Sequence, residues 1–432
     1  MSDQQVVRTE FLTGAAGTGK TFTIKQHIAE DPGCAVICAT TGVAAVNLDT
    51  VTINSVLSYY DTESLVDKYV RGFVHQKLRK LAGEFDKPRD LVIDEVSMMH
   101  AEQLDSIYKA IYEVNVGDDI HEPLKYPLGL VLTGDFAQLP PVKGRWAFLA
   151  DCWPEFQANV TRLTKVWRQA DPGFLNAINL ARAGNGELAA MCLKKLGANY
   201  SIAADLNFDG TTIVAKNAEA DRYNQQRLLR LTTPAFAVET KRWGQQSSEW
   251  KNIPDRAIFK PGCLVMLLAN KRDPLGGGFR YVNGDLAHVI EYSDSASLED
   301  WNGESYEAPA VLVQSLRTQE TFWVERIVRY NETRDEPDEG TPFEINPETG
   351  KYIIGWVDWF PMRIGYCSTV HKTQGLSLDR VQIDCRDGFF GAPSMAYVAL
   401  SRARSIEGMR IVGNAELLAR RIKFNPDVRE WL

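Results

Sequence analysis

Short apolar runs, bounded by glycine and polar residues, recur along the chain. "FLTG" at 11–14, "AVICAT" at 35–40, "LVIDE" at 91–95 and "GLVLTGD" at 129–135 are continuous rather than alternating, with helical stretches between them. Strands buried on both faces have that pattern, which predicts a parallel sheet covered by helices. The same pattern returns at "TTIVAKN" (211–217), "RIGYCSTVHK" (363–372), "RVQIDC" (380–385) and "MRIVGN" (409–414), predicting a second α/β unit in series. Residues 58–89 are polar with helical spacing and interrupt the first sheet. Residues 279–361 differ: "LAHVIEY", "APAVLVQSL", "ETFWVERIVRY" and "KYIIGWVDWF" are β-branched and aromatic between turn residues, as expected of a small antiparallel β module inserted into the second unit.

Composition changes this picture little. A chain of 432 residues needs more than one ordinary core, and its 44% hydrophobic and 24% charged residues are those of a soluble globular protein. The opening "MSDQQVVRTE" has no apolar signal core, and no apolar run is long enough to cross a bilayer. No membrane association is expected, and the predicted location is intracellular: cytoplasmic, or nuclear in a eukaryote. Cys34, Cys38, Cys152, Cys192, Cys263, Cys367 and Cys385 are scattered and odd in number, and Cys34 and Cys38 lack a second pair to complete a zinc site. They are read as reduced thiols. The net charge of −8 gives no whole-molecule attraction to nucleic acid, and it leaves a local basic groove open. The acidic run "ETRDEPDEG" at 332–340 reads as a solvated loop.

The first candidate chemistry lies between the first apolar run and its helix. Gly14, Ala15, Ala16, Gly17, Thr18, Gly19, Lys20 and Thr21 fit G-x-x-x-x-G-K-[ST], a loop whose backbone amides point at phosphates beside a helix N-terminus. Lys20 is placed to reach the β and γ phosphates, and the Thr21 hydroxyl to ligate Mg²⁺. After four apolar residues, Asp94 is placed to hold that ion through water and Glu95 to orient or deprotonate the attacking water. Gln138, beyond the third strand, can sense the γ phosphate; read alone it is equally a polar turn before two prolines. These residues imply ATP hydrolysis without saying what it drives.

A longer series does. "GAAGTGKT", "ATTGVAA", "TINSVL", "IDEVSM", "GDFAQLPPV", "VWRQAD", "VNGD", "STVHKTQGLSLD" and "YVALSRARS" occur in this order between residue 11 and about residue 414. Together they resemble the motifs of superfamily 1B DNA helicases, the branch of the Pif, RecD and Dda types, with the Pif type nearest. The resemblance implies two tandem RecA-like domains, with ATP in the cleft between them and single-stranded DNA across the top. It divides the chain into a first ATPase domain (1–57 and 90–160), a small duplex-splitting insert (58–89), a second RecA-like domain (161–278 and 362–432) and an SH3-like β insert (279–361). It makes Arg402 and Arg168 the arginines that reach the γ phosphate across the cleft, and it assigns Gly375 to the nucleotide. Thr41, Gly42, Asn54, Thr369, His371 and Lys372 are assigned to DNA, and Trp301, Trp323, Trp356 and Trp359 are either base-stacking residues or core.

The resemblance thus implies an ATP- and Mg²⁺-dependent helicase moving 5′ to 3′. Such a motor acts as a monomer on single-stranded and forked DNA in replication, recombination or repair, beside single-strand-binding or replication proteins. Two other readings stay open: a translocase that strips proteins or follows RNA, and a nucleotide-dependent binding switch. Three positions depart from the pattern. The glutamine that reads adenine in relatives lies well upstream of the phosphate loop, so here Gln4 or Gln5 is expected to serve from an unusual position, or adenine to be held otherwise or less selectively; Thr40 stands where proline is common, and Asn54 where histidine is common.

Overall fold

The computed structural model describes residues 6–431 apart from 49, 84–86, 118–120, 143, 248–249, 251–252, 270, 273–278, 282–283, 300–303, 334–336, 338–339, 341, 348–349 and 351. Gln4, Gln5, Trp301, the first two residues of "VNGD" and part of the acidic run lie outside the described residues. The chain divides into two compact units, one of Met1–Asn217 with Ser368–Leu432 and one of Ala218–Cys367.

In the first unit six strands form one parallel sheet, ordered Val51–Thr52, Ala35–Ala39, Arg89–Asp94, Leu128–Gly134, Thr9–Gly14 and Val160–Leu163. Side chains alternate between its faces, so continuous apolar runs supply both. Phe11, Leu91, Ile93, Leu130 and Leu132 pack with the helix Ala101–Val116 in one core, while Leu12, Val92 and Val131 meet Ile24 of the helix Lys20–Glu30 in another. Val51–Thr52 and Val160–Leu163, which the apolar pattern does not reveal, are short and partly exposed edge strands.

Among the described residues of 58–89 are two helices, Thr62–Val70 and Phe73–Gly83, whose Leu65, Val74 and Leu78 join the first core. Asp61 caps the first of them by accepting from Ser64 N at 2.8 Å, and Ser64 Oγ accepts from Asp61 N at 3.0 Å.

The same unit holds a second parallel set, Thr211–Val214, Val381–Asp384, Met409–Val412 and Asn199–Ser201 in that order. Ile213, Val381, Ile383, Met409 and Ile411 pack with residues of the helices Pro172–Arg182, Gly186–Lys195 and Met395–Leu400. The run 363–372, read from sequence as one strand, is instead Met362–Ile364, Cys367–Thr369 and the helical turn Val370–Thr373. The break falls at Gly365, where a Cβ would lie 2.8 Å from Met266 N.

The second unit is antiparallel. Its largest sheet runs Thr321–Glu325, Ser305–Ser315, Leu286–Glu299, Leu264–Leu267, Met362–Ile364. A further sheet pairs Lys241–Gly244, Tyr352–Trp359 and Ile327–Thr333. Antiparallel pairing also takes in Phe236–Glu239 and Arg256–Phe259, outside the 279–361 run. Trp359 is buried with Trp250 and Val357, Trp323 packs on Ala296, Leu298 and Ala310, and half-buried Trp356 lies in register with Tyr330 and Trp243.

The last described turn, Pro426–Trp431, returns to the first sheet. Trp431 is 3% exposed, with its ring centroid 5.5 Å from Phe11, 5.4 Å from Phe136 and 5.3 Å from Trp153. Trp431→Ala is expected to destabilise the fold by about 3–5 kcal/mol, the usual cost of emptying an aromatic core site. A chemical denaturation midpoint equal to wild type would refute this.

Candidate functional site

The phosphate loop takes its shape from two glycines. Gly17 and Gly19 have φ of 83° and 88°, in the left-handed region that favours glycine. Gly17 also permits a close approach, since a Cβ there would lie 2.6 Å from Arg168 Cβ. Lys20 opens the helix and turns back, donating from Nζ to the Gly14 carbonyl at 2.8 Å and the Ala15 carbonyl at 3.3 Å. Burial lowers its pKa, opposed by the nearby carboxylates Asp135, Glu95 and Asp94. Thr21 Oγ1 donates to Asp94 Oδ2 at 3.0 Å, which joins the loop to the acidic strand end.

Asp94 closes the strand Arg89–Asp94, and Glu95 follows in a left-handed conformation with φ 57° and ψ 42°. Burial raises the pKa of both carboxyls, and the Asp94 charge raises that of Glu95 further. Gln374 Nε2 donates to Glu95 Oε2 at 3.2 Å.

Two guanidinium groups border the same space. Arg402 is 1% exposed and donates to Val398 O (2.9 Å), Leu376 O (3.2 Å) and Ser401 Oγ (2.7 Å). Half-buried Arg168 donates to Ser401 O at 3.1 Å. Burial lowers both pKa values, that of Arg168 to about 9, where the Arg402 charge adds to the effect.

A cavity of about 650 Å³ gathers these groups. Ala16, Gly17, Gly19, Lys20, Thr21, Asp94, Glu95, Gln138, Arg168, Gly375 and Arg402 all line it. Of the other phosphate-site residues, Gly14 and Ala15 carry the carbonyls that Lys20 reaches, and Thr18 Oγ1 donates to Ala15 O at 2.9 Å. Exposed Trp167 and Phe22 extend the cavity wall with Lys25, Ala44 and Leu48.

The residues fit a nucleoside triphosphate on three grounds. The loop is a cradle of positive-φ glycines. Gln138 Oε1 is buried there without a hydrogen-bond partner. Two arginines whose charge burial disfavours face it, and an anion relieves that.

The positions assigned to DNA fall into two groups. Parallel register sets Ala39 beside Thr52 and Asp94, so Thr41, Gly42 and Asn54 leave the first sheet at the same edge as the carboxylates. Thr41 Oγ1 accepts from Ala44 N at 3.2 Å, Gly42 is exposed, and half-buried Asn54 sits in the turn Ile53–Val56. Thr369 is buried at the start of the turn Val370–Thr373, which carries exposed His371 and half-buried Lys372.

Sequence reasoning missed the site's deepest link. Asp135 is fully buried, and Tyr397 donates its hydroxyl to Asp135 Oδ2 at 2.8 Å while accepting from Ala16 N at 3.0 Å. Arg182 Nη2 donates to Asp135 Oδ1 at 2.8 Å and to Trp431 O at 2.9 Å. Asp135 and Tyr397 stand inside motifs already quoted, but nothing local pairs residues 262 apart.

Residues 3–179 match the model of the PIF1-like helicase family. A relative named ATP-dependent DNA helicase Pif1, from Psychrobacter, is 26% identical over 95% of this chain and 66% of its own length. One of the same name from Bdellovibrio bacteriovorus is 28% identical over 93% of this chain and 84% of its own. Among solved structures, Pif1 helicase from Candida albicans superposes with a TM-score of 0.68 at 26% identity, covering 98% of this chain and 94% of that one. The chain is thus similar to Pif1-like helicases along nearly its whole length. A Bacteroides Pif1 crystallised with ADP-AlF4 has the same fold, with a TM-score of 0.70 at 24% identity over 99% of this chain and 93% of that one. The two parallel sheets match the tandem RecA-like pair of these structural neighbours. The chain spans 45% of the length of a longer Trypanosoma brucei relative named ATP-dependent DNA helicase PIF7.

Tyr397→Phe leaves the Ala16 amide and Asp135 each short of a partner, and an unsatisfied buried group costs about 1–3 kcal/mol. It is expected to weaken nucleotide binding by about tenfold. An unchanged dissociation constant in a direct nucleotide titration would discard this role.

Proposed function

We propose that the chain is an ATP-dependent DNA helicase that couples Mg²⁺-dependent hydrolysis to 5′-to-3′ movement on single strands and to duplex unwinding. The observation that carries this reading is convergence: Lys20, Thr21, Asp94, Glu95, Gln138, Arg168 and Arg402, from both parallel sheets, meet at one cavity. A nucleotide-dependent binding switch has no use for the whole set.

In this mechanism the loop amides and Lys20 hold the phosphates, exchanging the Gly14 and Ala15 carbonyls for phosphate oxygens. Thr21 and Asp94 would hold Mg²⁺, which when bound neutralises phosphate charge. Glu95, kept basic enough by burial to accept a proton, takes one from water as the water oxygen bonds to the γ phosphorus. The bond from that phosphorus to the bridging oxygen breaks, and ADP and phosphate leave. Gln138 orients the water, and Arg168 and Arg402 stabilise the charge that develops.

The four-part division read from the sequence belongs to the same proposal. Two RecA-like domains (1–57 with 90–160, and 161–278 with 362–432) grip the strand through Thr41, Gly42, Asn54, Thr369, His371 and Lys372. The segment 58–89 splits the duplex, and 279–361 is an SH3-like insert. The Pif1 names and titles of relatives bound to single-stranded or forked DNA support these substrates. A monomeric motor working beside single-strand-binding or replication proteins in an intracellular DNA process completes the reading.

Strand separation on matched duplexes, one with a 5′ tail and one with a 3′ tail, tests it directly. The 5′-tailed duplex alone should open, and opening of the 3′-tailed one alone would reverse the assigned polarity. Lys20→Ala should lower ATP turnover by at least about a hundredfold. Arg402→Ala should do the same with nucleotide affinity kept within about threefold. Wild-type turnover in either variant contradicts its assigned role.

A further inference from the structure

Thr40 stands where the chain leaves the strand Ala35–Ala39 for Thr41 and Gly42. Both of its hydrogen-bond donors are directed at the catalytic turn. Its hydroxyl donates to the Glu95 carbonyl at 2.7 Å and its N–H to the Asp94 carbonyl at 3.0 Å. Glu95 needs holding, because a residue with a side chain persists in the left-handed region only when its surroundings over-determine it. Asp94 Oδ1 accepts the Glu95 N–H at 2.8 Å, Met98 N donates to the Glu95 carbonyl at 3.1 Å, and Gln374 steadies the carboxylate. Thr40 adds a clamp from a different strand. That strand continues within two residues to exposed Gly42, while Thr41 Oγ1 is engaged with the next helix through Ala44 N.

We propose that Thr40 is a positioning residue that fixes the Glu95 backbone, and that through it a single strand lying on Thr41 and Gly42 sets the aim of the catalytic carboxylate. The inference rests on the helicase reading and deepens it by naming the contact between strand and chemistry. A small displacement of 40–42 stretches the 2.7 Å bond, leaves the Glu95 carbonyl held by Met98 N alone and lets its backbone relax toward a less strained conformation. The carboxylate then swings with it. Misplacing a reacting group by about an ångström costs on the order of a hundredfold in rate, so partial loosening is enough to distinguish stimulated from resting turnover.

The test compares the full chain with Thr40→Val, which keeps the shape and loses the donor, and Thr40→Ser, which keeps the donor. ATP turnover is measured with and without an oligothymidylate strand, beside nucleotide and strand dissociation constants and a thermal melt. Thr40→Val is expected to lose about tenfold in strand-stimulated kcat with both dissociation constants within about twofold of wild type, and Thr40→Ser to recover most of it. If the valine variant does not fold, Thr40→Ala is read the same way. A valine variant with wild-type stimulated kcat overturns the proposal. So does one whose strand affinity falls in step with kcat, which would make Thr40 a strand contact instead, or a serine variant as impaired as valine. A wild-type chain without ATPase activity overturns this proposal and the helicase reading together; an active wild type with an unaffected valine variant overturns this proposal alone.

Discussion

Burying Asp135 is the constraint on which the rest of the first unit depends. A carboxylate with no exposed surface is costly unless donors surround it, and here they come from three directions. Arg182 pairs with it, Tyr397 donates a hydroxyl, and Ala137 N donates at 3.1 Å. Burial alone pushes its pKa up, but the Arg182 guanidinium and the other partners hold it below the ordinary value. Ala137 lies in the same turn as Asp135, and the two side-chain donors come from other parts of the fold. Asp135 follows the strand Leu128–Gly134 of the first sheet, Tyr397 lies in a helix packed against the second, and Arg182 ends a helix whose other bond reaches the carbonyl of Trp431. Removing any one of them leaves a buried charge or dipole unmatched, so the parts are fixed together.

Tyr397 carries that order into the phosphate loop. Its oxygen accepts from Ala16 N, so the loop is shaped partly from the second sheet's side. Around the loop the charges are arranged but unbalanced. Burial raises the pKa values of Asp94 and Glu95 and lowers those of Arg168 and Arg402, and a neighbour of like sign adds to the shift at Glu95, beside Asp94, and at Arg168, beside Arg402. A polyanion bound with a cation relieves both at once: the anion meets the guanidinium groups and the cation meets the carboxylates. The site's electrostatics are therefore those of half a complex.

How legible this was in the sequence depends on the range of each interaction. Strands buried on both faces betray themselves as apolar runs, and the phosphate loop and its carboxylates are local patterns, so both could be read directly. The edge strands Val51–Thr52, Val160–Leu163 and Asn199–Ser201 could not, because partial exposure removes the apolar signal. Phe236–Glu239 and Arg256–Phe259 escape detection for the same reason. The Asp135–Tyr397–Arg182 cluster is invisible in the sequence because its members are ordinary residues at their own positions, and only the fold brings them together. Thr40 stands out in the sequence only as a departure from the family pattern on the expected DNA track, whereas its hydroxyl is directed at Glu95.

The crossing between the two sheets shows how the sequence solves the placement of Arg168. The edge strand Val160–Leu163 pairs with Thr9–Gly14, so the chain leaves the first sheet beside the loop it must serve. Trp167 N then donates to Gly17 O at 2.8 Å, and the adjoining Gln169 side chain donates to Ser401 O at 3.3 Å and Ala403 O at 2.8 Å. Arg168, between these two anchors, has little choice of direction. Its Cβ occupies the space that any side chain on Gly17 would need, so the glycine serves two ends: it permits the positive φ of the loop and it admits the arginine. An alanine there would fail on both counts. The glycine-rich loop and the segment that presents the Arg168 guanidinium therefore form one physical piece, although more than a hundred residues of chain separate them.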